Sequence, residues 1–259
     1  MSLDQYRAKR DFTTSPEPVG EAQPERRPAK RFFCVQKHLA TQLHYDFRLE
    51  HDGVLLSWAV PKGPSLNPAD KRFAAHVEDH PLEYGDFEGI IPEGYGAGVV
   101  MLWDRGTWEP EVDDVDAALA RGDLKLRLDG YKLKGSWALV RTRGWGRRNR
   151  SSPGPTNDDG RSWLLIKHRD EWSGELDIAE FAPLSVKNGG DFEDILTAEL
   201  PSFWTGNRAA TRTASVEASL AAIVAKVEKL QGRAIGTGPG QPSTRAKRPR
   251  PSARKQGGG

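Results

Sequence analysis

Three side chains of different chemistry alternate along one short stretch of the chain. His44, Asp46 and Arg48 share one face of an extended segment, with about 7 Å between neighbours, because side chains in a strand alternate with a period of two. Tyr45 and Phe47 point to the other face and make it apolar. An imidazole and a carboxylate can hold a metal, and a guanidinium can hold an anion. The pattern therefore predicts a metal and phosphate site built on one strand.

A third candidate metal ligand lies close by in the sequence. His38 precedes His44 by six residues, so the candidate set is two imidazoles and the carboxylate of Asp46. Two nitrogens and one oxygen suit Mn, Zn, Fe or Co better than Ca or Mg. Three protein ligands leave positions open for water and substrate, as a catalytic metal requires. The alternative is a surface histidine beside an Asp46–Arg48 ion pair, but the four residues together favour the metal site.

A second group of polar residues has the chemistry to bind phosphate oxygens. Lys62 follows a predicted strand in a turn between two prolines, and Arg72 opens the next strand. Arginine binds phosphate through paired hydrogen bonds and lysine binds it as a point charge. His80 could pass a proton to a leaving oxygen, Tyr84 could donate a hydrogen bond, and Glu78 could orient the nearby cations.

Short predicted strands recur from residue 31 to about residue 172. They cover residues 31–36, 43–50, 54–60, 72–78, 98–103, 106–109, 124–128, 131–133, 135–141 and 163–168. Asp129-Gly130 predicts a two-residue hairpin turn, and Asp113 or Asp114 caps a short helix that stops at Gly122. Many short strands at close spacing predict a mainly β protein, either a barrel or a closed sandwich.

Composition divides the chain into four parts. We expect an N-terminal arm, a β-barrel domain, an extension with one amphipathic helix at about 215–231, and a basic disordered tail, at residues 1–30, 31–172, 173–232 and 233–259 respectively. Residues 143–161 are rich in Gly, Ser, Pro and Arg. They predict a loop between the last two strands, and the basic stretch at residues 141–150 is compatible with nucleic-acid binding.

Composition also restricts the class of protein. The net charge is +2 and charged residues make up 29% of the chain. No apolar run approaches the roughly 18 residues that a membrane-spanning helix needs, and the N-terminus has no signal-peptide core. Cys34 is the single cysteine, which excludes an internal disulfide and fits a reducing cytosol. Its apolar neighbours predict a buried strand thiol rather than a nucleophile.

Several stretches of the sequence resemble the 3′-phosphoesterase domain of bacterial DNA ligase D. They are residues 33–49 (FCVQKHLATQLHYDFRL), 56–64 (LSWAVPKGP), 76–89 (HVEDHPLEYGDFEG), 103–108 (WDRGTW) and 163–170 (WLLIKHRD). The resemblance covers residues 8–172, about two thirds of the chain. It implies a small closed β-barrel and a manganese-dependent enzyme, with Co²⁺ or Zn²⁺ as other candidate metals. Such an enzyme removes a terminal ribonucleoside to leave a 3′-phosphate, then hydrolyses that phosphate to a 3′-hydroxyl, in double-strand break repair by end joining.

The same resemblance implies a role for each matching residue. The implied metal ligands are His38, His44 and Asp46. The implied phosphate and transition-state contacts are Arg48, Lys62, Arg72, His80 and Tyr84, with Glu78 in support. Arg10, Asp11 and Glu17 match an N-terminal arm that reaches the site, which implies that part of the arm is ordered.

The sequence also departs from the usual pattern of that family. The loop at residues 91–98 is one residue shorter, and the segment at 143–161 is longer. No ligase or polymerase module is found, so the resemblance is to a stand-alone form. Its implied partners are DNA 3′ ends at primer-templates and a separate ligase, polymerase or Ku-like end-binding protein, in the cytoplasm at the nucleoid.

Two other functions stay open at the level of sequence. One is a non-catalytic DNA-end or scaffold module, and the other is a metal hydrolase acting on small phosphoesters. The first predicts lost ligands, whereas the metal and phosphate residues are all present. The basic loop and basic tail argue against the second.

Overall fold

The computed structural model describes residues 3–9, 31–142, 160–198 and 214–232. Ten strands form the sheet: β1 (Arg31–Leu39), β2 (Leu43–His51), β3 (Val54–Val60), β4 (Arg72–His76), β5 (His80–Pro81), β6 (Gly89–Ile91), β7 (Gly98–Pro110), β8 (Asp123–Gly130), β9 (Lys134–Arg141) and β10 (Ser162–Lys167). The helices are α1 (Leu3–Ala8), α2 (Val115–Arg121), α3 (Ile178–Phe181), α4 (Phe192–Thr197) and α5 (Ala214–Gln231), with a 3-10 helix at Leu82–Asp86.

The sheet closes on itself because β1 pairs with β2 on one side and with β7 on the other. Eight antiparallel strands complete the ring in the order β1-β2-β3-β4-β10-β9-β8-β7, while β5 and β6 pair with β3 and β7 outside it. Closure leaves the ring without unpaired edges. The predicted mainly β fold with a small closed barrel is confirmed.

Aromatic side chains fill the interior of the barrel. Phe47 and Trp58 from neighbouring strands meet there, with ring centroids 6.4 Å apart. Five tryptophans are almost completely buried: Trp58, Trp103, Trp108, Trp137 and Trp163. Because strands alternate, the residues between these inward side chains point to the outside of the barrel.

A second layer covers the outer face of β1, β2 and β3. The chain from β5 to β6 crosses this face and buries a small apolar cluster of Leu55, Tyr84, Phe87, Ile91 and Val100. The outward side chains of β2 are therefore enclosed although they lie outside the barrel. This second layer creates the space in which the predicted site residues meet.

Two local predictions for the strands need correction. The predicted strands at 98–103 and 106–109 are the single strand β7, whose register against β1 shifts where Asp104 follows Trp103. The predicted hairpin turn at Asp129-Gly130 is wrong, because β8 continues through both residues. The turn lies at the next two residues, since the Asp104 carboxylate accepts hydrogen bonds from the backbone N–H of Lys132 and Leu133, at 3.0 and 2.8 Å.

Other local predictions are confirmed. Asp114 caps α2 by accepting from the Ala117 backbone N–H, and Gly122 ends the helix with a φ of 80°. Cys34 is completely buried, and burial raises the pKa of its thiol to about 12. At neutral pH the thiol is therefore protonated and inert as a nucleophile.

The C-terminal helices pack against the barrel. Ile195 of α4 and Ile223 and Val227 of α5 are buried in the main core, and Lys226 Nζ donates to the Ala40 carbonyl at 2.9 Å. Among the helices that the structure describes, none combines the length and apolar character needed to cross a bilayer. The predictions for residues 10–30, 143–159 and 233–259 lie outside the described residues.

Candidate metal and phosphate site

The register of the β1–β2 hairpin brings the three candidate metal ligands together. His38 on β1 lies directly opposite His44 on β2, and Asp46 follows two residues along β2 on the same face. One nitrogen of each histidine and the Asp46 carboxylate lie within 4.8 Å of one another. The shortest separations are 3.5 Å from His38 Nδ1 to Asp46 Oδ2 and 3.6 Å from His44 Nε2 to Asp46 Oδ1.

These separations fit a bound cation better than a network of hydrogen bonds. A contact of 3.5–3.6 Å is too long for a good hydrogen bond. Two ligand atoms that each lie about 2.1 Å from one ion are themselves about 3–3.5 Å apart. The two histidine–carboxylate separations are close to this range, and the donor set is the one expected from the sequence.

Backbone carbonyls fix the remaining nitrogen of each histidine. His38 Nε2 lies 2.9 Å from the Gly96 carbonyl, and His44 Nδ1 lies 3.0 Å from the Gln42 carbonyl. A carbonyl only accepts, so these nitrogens carry the protons and donate. In the neutral form of each ring, the lone pair lies on His38 Nδ1 and on His44 Nε2, the two nitrogens that face Asp46. This is the arrangement that orients histidines in metal sites.

Arg48 keeps the Asp46 carboxylate ionised. Its Nη2 donates to Asp46 Oδ2 at 3.0 Å, and both side chains are almost completely buried. Burial alone raises the pKa of Asp46, but Arg48, His38 and His44 together outweigh burial and hold that pKa well below its usual range. An ionised carboxylate is the form that binds a cation.

The sequence analysis missed the residues that hold Arg48. Gln36 Oε1 accepts from Arg48 Nε at 2.8 Å, and the Ser57 hydroxyl accepts from Nη1 at 2.8 Å. Gln36 Nε2 in turn donates to the carbonyls of Tyr84 and Phe87, both at 2.9 Å. The alternation that selected Asp46 and Arg48 also places Gln36 on the outward face of β1, beside His38. This signal could have identified Gln36 from the sequence.

His80 packs against two aromatic rings. Its centroid lies 5.0 Å from that of Tyr84 and 5.1 Å from that of Tyr6 in α1. Its Nδ1 donates to the Glu78 backbone carbonyl at 2.8 Å, which leaves Nε2 as the basic nitrogen. The Glu78 carboxylate accepts from Lys9 Nζ at 2.9 Å. These contacts link the N-terminal helix to the predicted catalytic residues.

One cavity of about 500 Å³ connects most of these groups. It is lined by seven of the predicted site residues: His38, His44, Asp46, Arg48, Glu78, His80 and Tyr84. Tyr95 and Gly96, from the loop before β7, complete one side of it. The cavity is large enough for a phosphoryl group and part of a nucleoside.

The remaining predicted residues lie elsewhere. Lys62 is exposed in the turn after β3, and Arg72 at the start of β4 pairs with Asp70 at 3.0 Å. Neither residue is part of the cavity lining in the described structure. Their phosphate-binding roles stay predictions. Arg10, Asp11 and Glu17 lie outside the described residues, so their roles also stay predictions.

The fold and the cavity together define a class of protein. It is a small closed β-barrel that carries two histidines, a carboxylate and a buried arginine on its outer face. Residues 36–141 match the family model of the DNA ligase D 3′-phosphoesterase domain.

Curated relatives carry related names. The chain is 50% identical over 176 residues to the multifunctional non-homologous end joining protein LigD of Pseudomonas aeruginosa, a match that covers 68% of this chain and 19% of the relative. It is 37% identical over 193 residues to the LigD protein of Mycolicibacterium smegmatis, a match that covers 72% of this chain and 23% of the relative. The LigD protein of Mycobacterium tuberculosis H37Rv is 47% identical over 143 residues, covering 55% and 18%. The chain thus spans about a fifth of the length of these relatives.

Proposed function

We propose that this chain is a metal-dependent phosphoesterase that heals DNA 3′ ends during double-strand break repair by end joining. It removes a 3′-terminal ribonucleoside and hydrolyses the resulting 3′-phosphate to a 3′-hydroxyl. The observation that carries the proposal is the single cavity in which the His38, His44 and Asp46 cluster meets the buried Arg48. The match of residues 36–141 to the model of the DNA ligase D 3′-phosphoesterase domain supports the same reaction class.

His38 Nδ1, His44 Nε2 and the Asp46 carboxylate would hold the metal. We propose Mn²⁺, with Co²⁺ or Zn²⁺ as alternatives, because a mixed set of nitrogen and oxygen donors suits these ions. A divalent cation held by these residues would supply Lewis-acid positive charge to a phosphoryl oxygen. The hydrogen bonds from the two imidazoles to backbone carbonyls keep the ligands in place before the ion arrives.

Arg48 contributes charge and direction to phosphate binding. It has five N–H donors, of which three are used by Gln36, Ser57 and Asp46 in the described structure. The other two can bind oxygens of the phosphoryl group and stabilise the charge that grows on them in the transition state. Lys62 and Arg72 are proposed to add to this charge from the rim.

His80 is proposed as the general acid. Its Nδ1–H donates to the Glu78 carbonyl, so Nε2 is the nitrogen proposed to carry a proton to the leaving oxygen. The tilted rings of Tyr6 and Tyr84 pack against the imidazole and restrict its orientation, which favours proton transfer along one direction. Tyr84 is proposed to donate a hydrogen bond to the substrate, with Glu78, Arg10, Asp11 and Glu17 in support.

The proposed partners follow from the resemblance to the DNA ligase D 3′-phosphoesterase domain. The substrate is a DNA 3′ end, preferably at a primer-template junction. A separate ligase, polymerase or Ku-like end-binding protein would act before or after this enzyme, and the reaction would take place in the bacterial cytoplasm. Healing would then leave the 3′-hydroxyl that a polymerase or ligase requires.

A primer-template that ends in one ribonucleotide tests the proposal. The protein is incubated with this duplex and MnCl₂, and the products are separated on a denaturing gel. We expect a 3′-phosphate product first and a 3′-hydroxyl product later, and neither with His44→Ala. A folded protein that yields neither product would refute the proposed function. Hydrolysis of small phosphoesters without any action on DNA would favour the alternative hydrolase.

A further inference from the structure

A tyrosine at the mouth of the cavity has no role in the proposed chemistry. Tyr95 lines the same cavity as His38 and His44, yet 59% of its surface is exposed. Single exposed aromatic residues are common on protein surfaces, so exposure alone means little. The structure of the loop that carries Tyr95 gives it significance.

Tyr95 occupies the second position of a β-turn. The Ala97 backbone N–H donates to the Gly94 carbonyl at 3.2 Å, and Gly96 has a φ of 85°. A positive φ at the third position is what a type II turn requires, and glycine meets this requirement without strain. The turn therefore holds the Tyr95 backbone in a fixed position at the edge of the cavity.

The same turn is tied to a candidate metal ligand. The Gly96 carbonyl accepts the hydrogen bond from His38 Nε2 at 2.9 Å. Tyr95 is thus one residue away from the contact that orients His38. A phosphoryl group drawn to the ligand cluster would bring the rest of its nucleoside close to this ring.

The surroundings of the ring match a nucleotide. Lys9 Nζ lies 5.3 Å from the ring centroid of Tyr95 and 2.9 Å from Glu78 Oε2. An aromatic ring beside a cation, at the edge of a phosphate pocket, is the combination that binds single nucleotides through stacking and charge.

From this arrangement we infer that Tyr95 is the stacking platform for the base of the nucleoside that carries the 3′-phosphate. The inference rests on the proposed function and adds a substrate contact to it. Stacking is tolerant of sequence because every base has a π face. The enzyme should therefore act on ends that carry any of the four bases, and it should act less well on an end whose terminal sugar has no base.

The test compares two primer-templates that end in a 3′-phosphate. One carries a normal terminal nucleoside, and the other carries an abasic deoxyribose at that position. For the wild-type protein with MnCl₂, we expect kcat/KM to be roughly 5- to 100-fold higher on the duplex with the base. In Tyr95→Leu this ratio should fall close to one, whereas Tyr95→Phe should keep it.

Two controls separate stacking from a general disturbance. Tyr131→Leu changes a tyrosine that is 69% exposed but lies outside the cavity lining, so activity on both duplexes should be unchanged. Manganese affinity should also be unchanged in Tyr95→Leu, because the contact with His38 comes from the Gly96 backbone. A uniform loss of activity on both duplexes leaves the ratio intact and would count against stacking.

Several outcomes would overturn the inference. They are a wild-type ratio near one, a ratio in Tyr95→Leu equal to that of the wild type, or a loss in Tyr95→Phe as large as in Tyr95→Leu. If neither duplex is cleaved, the proposed function fails instead. Fluorescence anisotropy with MnCl₂ then measures the affinity of each protein for the same two duplexes. Stacking is supported only if wild type and Tyr95→Phe prefer the duplex with the base and Tyr95→Leu does not.

Discussion

Arg48 Nη2 donates to Asp46 Oδ2 at 3.0 Å, although the two residues lie only two positions apart on β2. Alternation along the strand puts both side chains on the outer face of the barrel, and the segment from β5 to β6 then covers them. The result is a buried ion pair at the bottom of the cavity, with the carboxylate facing the two histidines. Arg48 therefore supports the candidate metal ligand in addition to its proposed contact with phosphate.

The first prediction concerns this buried pair. Arg48→Gln should lower the free energy of unfolding by about 3–5 kcal/mol, because it leaves the buried Asp46 charge without its partner. The measurement is urea denaturation in EDTA, followed by circular dichroism. Arg105→Gln is the matched control, since Arg105 pairs with Asp86 at 3.1 Å on the exposed surface and should contribute only about 0–1 kcal/mol. Equal losses in the two variants would contradict the prediction.

A second prediction addresses metal binding. Loss of a residue that only hydrogen-bonds to a metal ligand typically weakens metal binding by roughly 10- to 100-fold. His44→Ala removes a proposed ligand itself, so it should weaken Mn²⁺ binding by more than this. Isothermal titration calorimetry with MnCl₂ measures the affinity directly. His168→Ala is the control, because His168 is not among the residues that line the cavity. Unchanged affinity in His44→Ala would exclude His44 as a ligand.

A third prediction concerns Gln36, which hydrogen-bonds both to Arg48 and to the segment between β5 and β6 that covers it. Gln36→Leu should destabilise the protein by at least about 1–3 kcal/mol and lower kcat, because buried groups on both sides lose their partners. Gln36→Glu keeps an acceptor for Arg48 Nε but loses the donor to the Tyr84 and Phe87 carbonyls. It should be destabilised yet retain more activity than Gln36→Leu. Steady-state kinetics and urea denaturation of both variants check this, and equal kcat values would refute it.

Asp104 gives a prediction for pH. Burial raises the pKa of Asp104 to about 6. The hydrogen bonds from the backbone N–H groups of Leu133 and Lys132 lower the pKa, but burial outweighs them. A carboxyl with a raised pKa favours the folded state most when it is protonated. This contribution is complete below the unfolded-state pKa of 3.8 and is lost as the pH rises through about 6.

The difference in the free energy of unfolding between the wild type and Asp104→Asn should show this pH dependence. The stability of the wild type relative to the variant should decrease between pH 4 and pH 7, because asparagine does not titrate. Urea denaturation at several pH values measures the difference. At every pH the variant should be the less stable protein, by about 1–3 kcal/mol at neutral pH, since its amide group cannot accept from both backbone N–H groups. A difference that is constant with pH would show that Asp104 does not titrate in this range.

Much of the fold could be predicted from the sequence because its signals are local. Alternating residues located β2 and β3, and Asp114 and Gly122 located the ends of α2. The turn between β8 and β9 could not be predicted in this way. Asp129-Gly130 is a good local turn sequence, but a carboxylate 28 residues away from Lys132 fixes the turn two residues later. Gly130 instead lies where a side chain would collide with Phe33 and Asp104.

The sequence by itself determined which side chains share a face of β2, because the two-residue period of a strand is a property of the local backbone. It therefore identified His44, Asp46 and Arg48 as a group. Only the tertiary structure decided that this face lies outside the barrel beneath a second layer, that Gln36 accepts a hydrogen bond from Arg48, and that Gly96 and Tyr95 line the same cavity. These contacts depend on strand register and on closure of the sheet between β1 and β7, which join residues far apart in the chain and leave no periodic signal in it.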